Sequence, residues 1–116
     1  MKKLIFIIII IIILLPSSYA YYHHESPIKW QEYNQDSFEL AKKEDKPVFM
    51  LITAVWCYWC HVYRDETLHD RQVVDYINKN YIPVFVDADK RQDITRQYLA
   101  GGWPSTVIFS PGGKEI

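Results

Sequence analysis

From residue 36 onward, short continuous apolar runs alternate with stretches whose apolar positions recur at helical spacing. VFMLITA (48–54) is apolar throughout with β-branched members, which predicts a strand buried on both faces. IPVFVD (82–87) predicts a second buried strand, with Pro83 tolerable near its start, and STVIFS (105–110) a third. Between them the period changes. Phe38 and Ala41 share one face of a short helix over 37–45, opened by Asp36 and Glu39 as a capping box and ended by Lys46-Pro47. A helical stretch runs from the cysteine pair to about Leu68, and a further helix starts at Asp70 with Val73, Val74, Ile77 and Tyr81 at helical spacing. A weaker helix covers 91–99, where Ile94 and Tyr98 stack at i, i+4. GGWP (101–104) breaks the chain and PGG (111–113) turns it. Residues 21–35 are polar and aromatic without a period and are expected to be a lead-in.

The order of these elements is that of an α/β domain with a cysteine pair at a strand-to-helix junction. The sequence stops at Lys114-Glu115-Ile116, where a hairpin partner is expected to begin. Strand 105–110 is therefore expected to lack a neighbour, and the domain, residues 36–116, to lack its last strand and helix.

One apolar run fits none of this. Met1-Lys2-Lys3 precedes LIFIIIIIIILL (4–15), Pro16 and Ser17-Ser18-Tyr19-Ala20, the pattern of a secretory signal peptide cleaved after Ala20. The run is shorter than the roughly 20 apolar residues of a membrane-spanning helix. An uncleaved N-terminal anchor is the lesser alternative. Removing the first 20 of the 116 residues leaves 96, one small domain. The remaining charge is mildly acidic with no Lys/Arg cluster, so no nucleic-acid partner is expected, and contact with a membrane only during export.

Export would place Cys57 and Cys60 in an oxidising compartment, periplasmic or extracellular. Their loop is too short to be much of a staple, worth about 2 kcal/mol on loop entropy, so chemistry explains the pair better than stability. WCYWCH (56–61) carries two chemistries. As C-x-x-C at a helix start, Cys57 gains a stabilised thiolate and Cys60 lies one turn away to resolve a mixed disulfide. As C-x-x-C-H, it is a c-type haem attachment with His61 as proximal ligand. The haem reading lacks a good distal partner: Met50 lies in the strand before the motif, and downstream there is only His69. Zinc is weaker, because adjacent Cys60 and His61 cannot easily face one ion and there is no second C-x-x-C. His23-His24 could pair on a metal but read more simply as solvated. No metal and no cofactor are expected. Trp56, Tyr58 and Trp59 surround the pair with aromatic surface suited to an unfolded or extended substrate, although packing explains Trp56 as well.

CYWCHVYRDETL (57–68), VDADKRQDITRQY (86–98) and GGWPSTVIFSPGGK (101–114), in that order, resemble the thioredoxin superfamily. They are most similar to the thioredoxin-like N-terminal domain of the spermatogenesis-associated protein family and its bacterial relatives. Trp30, Phe38, Ala41 and Lys46-Pro47 fit that family's opening. The resemblance implies a thioredoxin-like fold with a central mixed sheet flanked by helices. It implies that Cys57 and Cys60 are a redox pair acting on protein thiols and disulfides, reset by a redox partner. It also implies that Pro104 is a cis-proline beside Cys57 which, with Trp103, helps to hold substrate. His61 belongs to the family pattern, and Glu66 matches a position from which it could serve as a base. Tyr58 stands for the usual His, Arg64 for Glu, Gln92 for Pro and Thr95 for Asp, and the 116 residues do not reach the family's large C-terminal helical domain. Leu51 stands where classical thioredoxins carry a buried Asp, which removes a proton acceptor for Cys60. A thiol–disulfide oxidoreductase of open direction is the expectation; the alternative is a redox-inert binding or chaperone module on the same fold.

Overall fold

The structure is a computed structural model that describes residues 1–3 and 26–116. The proposed signal segment from residue 4, and His23-His24, lie outside the described residues. The elements are β1 (Gln31–Glu32), α1 (Gln35–Glu44), β2 (Val48–Thr53), α2 (Tyr58–Val62), α3 (Arg71–Asn80), β3 (Ile82–Asp87), α4 (Gln92–Tyr98) and β4 (Ser105–Phe109).

The most continuously apolar strand takes the most enclosed place. The sheet order is β1-β3-β2-β4, so β2 is paired on both edges. It runs parallel to β3, with Met50 opposite Val84, and antiparallel to β4, with Met50 opposite Val107. Side chains alternate between faces, as strand geometry requires. Met50, Ile52, Val84, Val86, Val107 and Phe109 build the core under α1 and α4, with Ala41 and Ile94 from those helices. Leu51 joins Ile28, Leu68, Val74 and Ile77 in a second core under α3. The cysteine pair belongs to the first core.

Three expectations need correction. The first helix is capped by Asn34, not Asp36: Asn34 Oδ1 accepts from the Ser37 amide (3.0 Å), and Ser37 returns a bond to the Asn34 main chain. The helix therefore begins earlier, and Asp36 falls in the first turn, where its charge still suits the dipole. The lead-in contains β1, which pairs Gln31 with Val84 and Glu32 with Phe85 in parallel. Two polar residues carry no periodicity, so nothing local announces this strand. Finally, β4 does not lack a neighbour. It pairs along its length with β2, and after the turn Glu115 bridges to Phe109 while the Ile116 amide donates to Ile108 O (3.0 Å). Gly113, at φ 86°, supplies the left-handed residue that this turn requires.

The helix that carries the cysteines is also less regular than its sequence suggests. α2 ends at Val62 and continues as a π-helical turn, Tyr63–Thr67, in which the Leu68 amide donates to Tyr63 O (3.0 Å). The wider turn leads into Leu68, which is buried beside Leu51, and sets Tyr63 against that second core.

Candidate active site

β2 ends under the site, and the turn 54–57, closed by the Cys57 amide on Ala54 O (3.1 Å), delivers Cys57 to the N-cap of α2. Cys57 and Cys60 are joined as a disulfide, with Cα atoms 5.3 Å apart. Cys57 Sγ accepts from the Cys60 amide (3.2 Å), so the cap role usually filled by an oxygen is filled by sulfur. This geometry stabilises negative charge on Cys57 in the reduced state. Cys57 keeps 5 % exposure and Cys60 only 1 %.

Around the pair lies aromatic surface left in solvent. Trp56, Tyr58 and Trp59 are 62, 70 and 65 % exposed, and Val55 beside them is exposed too. Trp56 meets Trp103 edge to face with ring centroids 5.2 Å apart, and Tyr58 meets Trp59 in the same way at 5.2 Å. The Trp56–Trp103 contact brings the GGWP loop to the cysteine turn. That loop is held by the Ser105 hydroxyl, which donates to Gly102 O (2.6 Å), and by Gly101 at φ 77°. The Trp103–Pro104 bond is cis, and both residues are half-buried at the head of β4. Trp56, Tyr58, Trp59, Trp103 and Pro104 thus lie on elements that converge on Cys57.

His61 is turned to a different task from the one that C-x-x-C-H suggests. Its Nε2 lies 2.7 Å from Val55 O. The sulfurs are bonded to each other, and this nitrogen is engaged with the carbonyl of the turn before Cys57. Glu66 is exposed in the π-helical turn beyond α2, and the hydrogen bond to sulfur comes from the Cys60 amide instead. Leu51 is completely buried among aliphatic side chains. Among the described residues the buried polar side chains are Ser37, Thr53 and Ser105, with no carboxylate.

One contributor escaped the sequence reading. Asp89, in the turn after β3, accepts from Trp56 Nε1 (3.4 Å) and pins the indole beside Trp103. Its position in VDAD carries no signal of that role, because the contact depends on β3 lying beside β2.

A family profile described as "Thioredox_DsbH: Protein of unknown function, DUF255" matches residues 12–116. Spermatogenesis-associated protein 20 of Mus musculus is 34% identical over 95 residues, covering 75% of this chain and 12% of that protein. The chain therefore spans about an eighth of the length of that relative. Disulfide bond reductase DsbH of Chlamydia pneumoniae is 26% identical over 102 residues, covering 77% of this chain and 60% of that protein. The solved structure of a DsbH oxidoreductase superposes with a TM-score of 0.67 at 25% identity, covering 76% of this chain and 69% of that one. A thioredoxin from Thermus thermophilus gives the same TM-score of 0.67 at 22% identity, over 78% and 71% of the two chains. With a thioredoxin-like fold, a bonded C-x-x-C pair and a profile match over residues 12–116, the chain belongs to the DsbH-type thioredoxin-like family, DUF255.

Proposed function

We propose that the chain is an exported thiol–disulfide oxidoreductase that works on protein substrates through Cys57 and Cys60. The observation that carries this reading is the asymmetry of the pair: Cys57 caps the helix at the edge of the aromatic surface, while Cys60 is sealed beneath it. In the reducing direction, the Cys57 thiolate attacks one sulfur of a substrate disulfide, forming a mixed disulfide and expelling a substrate thiolate. Cys60 then attacks Cys57 Sγ and expels the second substrate thiolate, its proton passing to the departing substrate sulfur. The substrate gains two electrons, the enzyme pair becomes a disulfide, and a dithiol partner must reduce it again. Run backwards, the same steps oxidise a substrate dithiol. Trp56, Tyr58, Trp59 and Trp103 offer the apolar landing surface, and Pro104 at the head of β4 stands beside them.

Insulin reduction by wild type against Cys57→Ser tests the activity; equal rates would refute it and leave the redox-inert binding module, for which the exposed aromatic surface speaks. The potential of the pair assigns direction: about −120 mV marks an oxidant and about −270 mV a reductant. Export is supported by the pattern of residues 1–20. Expression in a secretion-competent host should yield a chain beginning at Tyr21, and a retained Met1 would count against cleavage.

A further inference from the structure

We infer that His61 is a positioning residue, whose side chain ties down the turn that presents Cys57 and so sets the attitude of the Cys57 sulfur toward the first-turn amides of α2. The inference rests on Cys57 being the attacking thiolate.

Val55 and Trp56 are the two central residues of the turn 54–57, and the Val55 carbonyl lies within 2.7 Å of His61 Nε2. A carbonyl oxygen only accepts, so Nε2 carries the hydrogen and Nδ1 is the nitrogen left to take a proton. The His61 amide makes the ordinary first bond of α2, to Cys57 O (3.3 Å), as any residue there would, so what the imidazole adds is the hold on Val55 O. The bond from the Cys60 amide to Cys57 Sγ (3.2 Å) is made in the same turn. Trp56 has a separate anchor in Asp89, so His61 governs the main chain of the turn and not the indole. Without the imidazole, Val55 O turns to water, the turn gains freedom, and the sulfur loses part of its alignment with the amides that favour its charge.

Two measurements on the whole chain test this. Long-range ¹H–¹⁵N spectra of the wild type should show the Nε2–H tautomer of His61; an Nδ1–H tautomer would overturn the proposal without any variant. In the reduced protein, His61→Leu should raise the pH midpoint of Cys57 alkylation by roughly 0.3–0.7 unit, from the usual worth of a helix-terminus interaction. That corresponds to about two- to fivefold slower iodoacetamide labelling below the midpoint, with the labelled site located by peptide mapping. His61→Gln, whose amide nitrogen can donate from nearly the same place, should restore the wild-type midpoint. Equal displacement in both variants, or none in either, would sink the idea. Failure of insulin turnover alongside the expected tautomer and Gln rescue would instead overturn the proposed activity and leave the tether standing.

Discussion

Cys57 and Cys60 are both buried, but Cys57 caps the helix beside the exposed aromatic side chains and keeps the larger sliver of surface, which sets the order of events at the pair. A disulfide reagent meets Cys57 first, and Cys60 acts only from within. Cys60→Ser should therefore accumulate a stable mixed disulfide with thionitrobenzoate, seen by intact mass, whereas Cys57→Ser should remain almost unmodified; the reverse pattern would exchange their roles. A second residue gives a pH prediction. Burial, reinforced by a hydrogen bond to Tyr98, pushes the Tyr33 phenol up to about 12. In the unfolded chain it ionises near 10, so folding keeps its proton on between those values. The stability it contributes is complete below pH 10 and is lost as the pH rises toward 12. Thermal midpoints should fall over that window, and Tyr33→Phe should make the fall shallower. At this scale the pair itself was legible, because C-x-x-C spacing is local. Asp89 and the His61–Val55 bond were not, since the first needs β3 beside β2 and the second needs the ring to fold back over its own turn.

Among the elements, caps do much of the local work. Asp70 Oδ1 accepts from the Gln72 and Val73 amides (2.9 and 3.2 Å) at the start of α3. Asp70→Ala should cost about 1 kcal/mol in urea unfolding, with Asp70→Asn retaining most of the stability. Strands β2, β3 and β4 and helix α3 were readable because each buries a continuous or periodic set of apolar residues. The π-helical turn was not, because one residue of extra winding leaves no mark in composition. Its effect is nonetheless concrete: Leu68 is buried and Tyr63 packs against the α3 core, where burial raises the Tyr63 phenol above its usual value. Such turns recur at functional sites, and this one directly follows the helix that carries the cysteines.

The whole molecule stands on a sheet whose central strand serves both cores and the site at once. Leu51→Ala should cost about 2–5 kcal/mol, measured by denaturant unfolding, because Leu51 is fully enclosed and β2 cannot collapse onto the gap. If the loss is confined to stability, turnover by the folded fraction should hold, since Leu51 is no proton acceptor. The α/β class followed from the order of apolar runs and the mixed sheet from the family resemblance, but the place of β1 at the sheet edge followed from neither. That edge has a consequence in time. Val48 must find Phe109 and Gln31 must find Val84 across most of the domain, and such distant pairings make folding slow for a chain of this size. With only two register pairs, β1 is the strand with least to gain from early docking, so the β3 edge stands uncovered until assembly is nearly complete. In pulse-labelling exchange, amides of the β2–β3 ladder should gain protection first and those joining β1 to β3 last, leaving a brief interval in which a second unfinished chain could pair there instead.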